Sequence, residues 1–392
     1  MTKPENNLKA CCVLADLGPY HAARFKATAG LGDLVVLDTG KNIDTAYGSN
    51  CNYDFPVMEA DLQSLDAVLD EIAPDVLVVM GWGYRSVRKA ALWALENQIP
   101  LVTMSDSQLE GQPRSLLRDL LKRGLLGCYD AVLCAGTRAQ RYMEHFAKPP
   151  ECLFRGMDVV NNDYFSSALA AAAGDRLAFR QTHQLPQRYI LSVNRFVEQK
   201  NLPGLLRAFA HYLAQGQAGA LNLVIAGDGP LREELIGLIH ELGLEDVVFL
   251  IGKVAYADLP MLYTCAEAFV ITSNSHAETW GLTVNEAMAA GLPVFVSSSC
   301  GCCEDLVEDG INGWVFNANE VEALAAHFIA IERRGYDLQA MGRASSRIIQ
   351  CWSPALFARN FWRTVHYASA NYRLASRRGR LSLKLIDLLS KR

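Results

Sequence analysis

The run LNLVIAGDGPLREEL, residues 221–235, decides the fold. After Asn222 it is continuously apolar through Ala226, with no polar residue alternating. A strand with one wet face would alternate, so this one is covered on both sides, as in a parallel sheet. Gly227-Asp228-Gly229-Pro230 then supplies a tight turn, with Pro230 placed to open the following helix at its first position. Strand, glycine turn and helix make up half of a βαβ unit.

The same habit recurs along the chain. RYILSVNRF (188–196), VVFLIGKV (247–254), EAFVITSN (267–274) and LPVFVSS (292–298) are short apolar runs, each followed by small or polar residues. The first half carries KACCVLADL (9–17), LVVLD (34–38), PDVLVVMGW (74–82), IPLVTMSD (99–106) and DAVLCAGT (130–137). Two such series predict two doubly wound, Rossmann-like α/β domains. We place them at 1–165 and 166–355, with a helix over about 356–392 packing back on the first. The divide falls between Asp163 and Gln187, where Asn-Asn-Asp-Tyr-Phe gives way to an Ala-rich helix that carries the run Ala168–Ala173, then to Leu-Pro-Gln before the next strand.

Composition sets the outer limits. A chain of 392 residues with 51% hydrophobic and 20% charged residues is globular material with room for two cores. Its net charge of −5 excludes a protein that binds nucleic acid over its whole surface. No apolar run reaches the ~18 residues of a membrane span. The start, MTKPENNLKACC, carries a Glu and two Asn where a signal peptide has a basic and then an apolar stretch. The expected location is therefore cytoplasmic. The odd count of 11 cysteines, several inside apolar runs, fits reduced core thiols. Cys300-Gly301-Cys302-Cys303 reads either as a metal cluster or as a loop of small residues, and no partner Cys or His pair lies nearby. The stretch 371–392 alternates basic residues with Leu and Ile. It fits either a basic amphipathic helix on an anionic membrane at the inner face of the cell, or a terminal helix packed on the protein.

In open α/β sheets ligands bind beyond the carboxyl ends of the strands, so the residues there are the candidates. Asn194-Arg195 and Lys200-Asn201 follow one strand, and two cations five positions apart suit a diphosphate. Gly227 and Gly229 follow the next strand, and Lys253-Val254 the one after. HAETWGLTVNEAMAAGLPV (276–294) follows the fourth. Thr283-Val284-Asn285-Glu286 has the form of a capping box, in which a Thr hydroxyl and a Glu three residues on satisfy free backbone amides. That leaves Glu278 and Gly281 unexplained. A helix opening at Gly281 would offer the amides of Leu282 and Thr283 to a phosphate. Two glutamates, Glu278 before it and Glu286 within it, could accept hydrogen bonds from sugar and ribose hydroxyls.

Taken in order, Arg195…Lys200-Asn201, Gly227-Asp228-Gly229-Pro230, Glu278-x7-Glu286 with Glu-Ala-Met-Ala-Ala-Gly-Leu-Pro-Val, and Glu308-Asp309-Gly310-Ile311-Asn312-Gly313-Trp314-Val315-Phe316 resemble retaining glycosyltransferases of family 4. The likeness covers 187–320 and is looser in the first half. It implies the GT-B fold, two Rossmann-like domains facing a central cleft. It also implies that Arg195 and Lys200 hold the diphosphate of a nucleotide sugar, that Glu286 binds ribose and Glu278 the transferred sugar. Backbone around Gly281–Thr283 would receive the phosphate, and backbone near Lys253-Val254 would line the base.

The resemblance further implies transfer with retention, no enzyme nucleophile, no cofactor and no metal, since no Asp-x-Asp pair lies beside the strands. Related enzymes often place Gly-Gly after the first strand; here only Gly18 stands, followed by Tyr20 and His21. Asp106 follows strand IPLVTM, as a sugar or acceptor contact or as a plain helix N-cap. Trp82 offers a stacking surface for an acceptor sugar, or packs as core. The expected activity is hexosyl transfer from UDP- or GDP-sugar to a glycan, lipid-linked or small-molecule acceptor in polysaccharide or glycolipid assembly. A nucleotide-sugar epimerase of the same fold and a silent nucleotide-binding scaffold are the competing readings.

Overall fold

The computed structural model describes residues 8–15, 17–40, 53–111, 115–215, 221–372 and 377–389. The chain divides into two compact units. The first comprises 1–161 and 352–392, the second 162–351.

The first unit holds seven parallel strands: β1 (Lys9–Leu14), β2 (Asp33–Asp38), β3 (Val57–Glu59), β4 (Val76–Met80), β5 (Leu101–Ser105), β6 (Ala131–Cys134) and β7 (Leu153–Arg155). Their order across the sheet is β3-β2-β1-β4-β5-β6-β7. The continuous apolar runs behave as their composition requires: Cys11 to Leu14 and Val76 to Val79 are fully buried, with helices over both faces. The helix Pro354–Ala370 returns to this unit and packs on the helix Pro19–Ala29. Trp362 Nε1 donates to Thr28 O at 2.9 Å, and its ring lies where a side chain on Gly32 would have to go, 2.4 Å from an added Cβ.

The second unit repeats the plan with β8 (Tyr189–Val193), β9 (Asn222–Ala226), β10 (Val248–Gly252), β11 (Ala268–Ile271), β12 (Val294–Ser297) and β13 (Gly313–Phe316). Its order is β10-β9-β8-β11-β12-β13, all parallel. Strand order reverses between β8 and β11, so the loops leaving these two strands part from each other and open a crevice at their carboxyl ends. The first unit has its own reversal between β1 and β4.

Each unit is therefore a doubly wound α/β domain. Strands β3, β7 and β13 escape the sequence reading because they are three or four residues long and sit at sheet edges or near them. Three local readings need correction. The predicted helix before Leu-Pro-Gln is present as Ala173–Thr182, but it starts only at the end of the alanine run: a short helix ends at Ser166 and 167–170 form turns. Leu169 is drawn against Gly291 and its carbonyl accepts from Arg176, so tertiary contacts override the helix preference of alanine. Pro230 lies in a turn, two residues before the helix Arg232–Glu241 starts. Phe196 O takes the amide of Leu231, and the helix can begin only beyond it. The third correction concerns Thr283 and belongs to the site.

Among the described residues ten cysteines are free, and all but Cys351 are buried. No helix there is long and apolar enough to cross a membrane.

Candidate active site in the second unit

The two loops that leave the sheet at its reversal meet through side chains. After β8, Asn194 turns back on its own strand: Asn194 Nδ2 donates to Ser192 Oγ at 2.8 Å, and Ser192 Oγ to Val270 O on β11. The chain then runs through Arg195 to a single 3-10 turn, Glu198–Lys200, and Asn201 takes the left-handed conformation that starts the helix Leu202–Ala214. After β11, Thr272 Oγ1 donates to Lys200 O at 3.0 Å and Asn274 N to Gln199 O at 3.2 Å. These bonds fix one loop on the other.

At that junction Lys200 Nζ and Glu278 Oε2 form an ion pair, with each side chain about 11% exposed. Ser273 Oγ donates to the same carboxylate oxygen at 3.0 Å. Arg195, by contrast, is exposed and makes no ion pair or side-chain hydrogen bond with any described residue. Of the two cations read from the sequence, one is committed inside the protein and the other is free to meet a ligand.

The segment Glu278–Gly281 is held from behind by the loop after β12. Gly301 N donates to Glu278 O at 3.0 Å and Cys302 N to Trp280 O at 3.1 Å. A Cβ on Gly301 would lie 1.7 Å from Thr279 O, so only glycine allows this approach. The small residues of Cys300–Cys303 thus serve as a backrest for the glutamate loop. All three cysteines are buried, and burial pushes the thiols of Cys300 and Cys302 well up, which disfavours the thiolate a metal would need. No cluster of metal-binding side chains occurs among the described residues.

Gly281 sits at φ 103° and caps the helix Leu282–Ala289. This is the third correction. The helix starts one residue before Thr283, so Thr283 lies in its first turn, and its hydroxyl caps nothing. The Thr283 Oγ1 atom is buried and has no hydrogen-bond partner. Asn194 Oδ1 is in the same condition. Buried polar atoms without partners cost of the order of 1–3 kcal/mol each. The first amides of this helix, those of Leu282 and Thr283, also have no intrahelical acceptor. Orphan donors and acceptors on the connections that leave the two strands of the reversal are what a polar ligand would satisfy.

Trp280, the bulky residue of the segment, is buried and donates from Nε1 to Asn285 Oδ1 at 2.9 Å, which locks the helix entry. Glu286 lies inside the helix, 4% exposed, and accepts from Tyr263 OH at 2.7 Å. Burial pushes its carboxyl up to about 7, against the opposing effect of the Tyr263 hydrogen bond. Its second oxygen makes no hydrogen bond with a described residue.

Gly227 and Gly229 are required by packing. An added Cβ would lie 1.8 Å from Asn194 O at Gly227 and 2.5 Å from Phe196 O at Gly229. They let the β9 turn press against the β8 loop and so set the position of Asn194 and Arg195. Lys253 is exposed and Val254 half-buried just beyond β10, whose last carbonyl, Gly252 O, accepts from Gly227 N at 2.7 Å.

Within the first unit, Gly18, Tyr20 and His21 stand at the end of β1. Gly18 N donates to His21 Nδ1 at 2.9 Å, and burial together with the neighbouring Arg24 pulls His21 down to about 3. His21 is therefore a neutral acceptor with a local structural task. Arg24 is 2% exposed, donates from Nε to Val159 O at 2.9 Å and lies 3.4 Å from Asp158 Oδ1. Burial raises Asp158 to about 7, Arg24 opposes this and the charge of Asp106 adds to it. Asp106 is half-buried at the end of β5; no helix begins there, so it is not an N-cap. Trp82 is half-buried and stacks on Tyr142, ring centroids 6.4 Å apart.

Ser273, Tyr263 and Asp158 are absent from the sequence-based set. Ser273 follows a strand end directly and could have been found there. Tyr263 acts on Glu286, 23 positions away, and nothing local marks it.

Comparison with known proteins places these features. Residues 175–347 match the model of glycosyl transferases group 1. An uncharacterized glycosyltransferase of Methanocaldococcus jannaschii is 37% identical over 148 residues, 37% of this chain and 36% of that one. The alpha-monoglucosyldiacylglycerol synthase of Acholeplasma laidlawii is 28% identical over 196 residues, 50% of this chain and 46% of the relative. The matched stretches thus span a third to a half of these relatives' length. The crystal structure of Anabaena HepE in complex with UDP and glucose superposes with a TM-score of 0.75 at 18% identity, covering 92% of this chain and 99% of the other. The fold is shared along nearly the whole length, and residues 175–347, within the second unit, are similar to the glycosyl transferases group 1.

Proposed function

We propose that the protein is a retaining, metal-independent glycosyltransferase that moves a hexose from a UDP- or GDP-sugar to a glycan, lipid-linked or small-molecule acceptor, in polysaccharide or glycolipid assembly. The observation that carries this reading is the convergence at the β8/β11 reversal. An uncommitted Arg195, a helix N-terminus with two free amides and an orphan Thr283 hydroxyl stand beside a carboxylate held by Lys200 and Ser273. Relatives named as an alpha-monoglucosyldiacylglycerol synthase and an O-antigen chain mannosyltransferase support the class, and HepE was crystallised with UDP and glucose.

The chemistry follows from charge. As the bond from sugar C1 to the diphosphate breaks, negative charge gathers on the leaving phosphate and positive charge on C1. Arg195 and the helix amides meet the first, and preorganised donors of this kind are the largest electrostatic resource of such a site. Lys200 is neutralised in part by Glu278, so it orients that carboxylate toward sugar hydroxyls as well as facing phosphate. Glu286 takes ribose hydroxyls through its unused oxygen. The acceptor hydroxyl forms the new bond to C1 on the face the phosphate leaves, and the phosphate takes its proton. Asp106, with Gly18, Tyr20, His21 and Trp82, belongs to the acceptor side of this scheme. The place of action is the cytoplasm, with 371–392 in contact with an anionic membrane.

A thermal-shift series with UDP, GDP and ADP tests the reading, since a ligand that binds only the native state raises its melting temperature by mass action. Selective stabilisation by UDP or GDP, with release of that nucleotide from its sugar, is the expected result. Stabilisation without release would return the scaffold, conversion of donor to its epimer would return the epimerase, and no stabilisation by any nucleotide would overturn all three.

A further inference from the structure

The first unit turns leucines toward solvent on two neighbouring helices. The helices Leu116–Leu126 and Arg377–Leu389 pack on each other. A surface helix ordinarily buries its apolar stripe and shows its polar one. Here Leu125, Leu126 and Leu383 face inward, yet further leucines line the outer face. Leu116 is 93% exposed, Leu117 69% and Leu120 47%; on the terminal helix Leu381 is 59% exposed and Leu388 81%. The last two, with Leu385 between them, fall at i, i+4 and i+7, one stripe of a helix.

The same helices concentrate positive charge in a chain whose net charge is −5. Residues 371–392 hold seven basic residues and one acidic, and residues 114–126 hold four and one. The acidic residue of the tail is turned inward: Asp387 Oδ1 pairs with the buried Arg88 Nε at 3.0 Å. Arg118, Arg123 and Lys384 remain exposed around the leucines.

From this geometry we infer that the helices 116–126 and 377–389 form one docking surface for an anionic lipid bilayer. Leucines enter the boundary between headgroups and acyl chains, and the flanking cations meet lipid phosphates. A second copy of the chain fits the surface poorly, because a two-fold contact would set like charges against each other. This deepens the tail contact proposed above by giving it a second half, 260 residues earlier in the chain, and it does not depend on the donor chemistry.

Sedimentation of the full chain with phosphatidylcholine vesicles, with and without phosphatidylglycerol, tests it. The expected result is binding only to the anionic vesicles, weakened by salt. The double variants L117S/L120S and L381S/L388S should each weaken it at least about tenfold. Their melting curves and nucleotide-induced shifts should stay as in wild type. R118E/R123E, at exposed positions, should also release the protein and covers the case of a leucine variant that fails to fold. Wild-type binding by L117S/L120S and R118E/R123E would overturn the two-helix surface while leaving the tail contact. Failure of the wild type to bind anionic vesicles would overturn both. A dimer in ultracentrifugation that the leucine variants dissociate, without lipid binding, would overturn the surface in favour of self-association.

Discussion

Lys200 and Glu278, 78 residues apart in the chain, close the reversal point of the second sheet with a buried ion pair. Removing one partner of such a pair leaves an uncompensated buried charge, at a cost of about 3–5 kcal/mol. Lys200→Ala should therefore lower stability by that order as well as activity. The pair K200M/E278Q should regain most of the stability and none of the turnover. Denaturant unfolding beside a donor-turnover assay reads both. A double variant as active as wild type would show the pair to be purely structural.

Arg195 gives the opposite pattern. It is exposed and holds nothing in the apo protein, so Arg195→Ala should change stability by less than about 0.5 kcal/mol. Turnover should fall at least about a hundredfold, as when one preorganised donor is lost. Unchanged kcat/KM in a folded Arg195→Ala would remove Arg195 from the site.

Two glycines separate backbone strain from steric exclusion. At Gly281 an added Cβ has room, with its nearest atom at 3.7 Å, and the obstacle is φ 103° alone. Gly281→Ala should cost about 1–3 kcal/mol. At Gly301 the Cβ would meet Thr279 O at 1.7 Å, so the 278–280 segment must move. Gly301→Ala should therefore misplace Glu278 and depress turnover more than Gly281→Ala does at matched loss of stability. Equal activity per folded molecule in the two would refute the backrest role of the Cys300–Cys303 loop.

What the sequence could and could not disclose follows from the range of each interaction. Apolar runs ending in glycine turns report burial on both faces, a local property, and from them both sheets and the loops after their strands were legible. Lys200, Glu278 and Gly281 were legible for the same reason: each stands in the connection that follows a strand. Their partners were not. That Lys200 would meet Glu278 depends on β8 and β11 lying side by side, which no spacing encodes. The capping-box reading of Thr283 failed because helix start is set here by Gly281 and by the Trp280–Asn285 bond, and both displace the cap by two residues. The glycines 227 and 229 were read as a tight turn at the donor site, and the collisions an added Cβ would make with Asn194 and Phe196 give them a packing task first.

Glu286 makes stability depend on pH. An ordinary carboxyl has a pKa near 4.5, and burial raises this one to about 7. Between those values the native state keeps a proton the unfolded chain has released, so stability falls as pH rises and the loss is complete above about pH 7. Its size is on the order of 3 kcal/mol. Glu286→Gln has no such titration and keeps an acceptor for Tyr263. Its melting temperature relative to wild type should climb from about pH 4.5 to about pH 7.5, and a constant difference would contradict a buried, proton-holding Glu286.

The Thr283 hydroxyl offers the cleanest separation of ligand binding from folding. It is buried without a partner, so Thr283→Val deletes an unsatisfied polar atom and keeps the shape. The apo protein should be as stable as wild type or more so, because removing an orphan group recovers its desolvation cost. If the hydroxyl and the amides beside it receive a phosphate, the same change should weaken UDP or GDP about tenfold or more, a hydrogen bond to a charged group being worth about 1.5–3 kcal/mol. Calorimetric titration of both proteins decides between the outcomes. A Thr283→Val protein that gains stability and binds nucleotide undiminished would show the hydroxyl to be a packing flaw, and the phosphate would have to bind elsewhere.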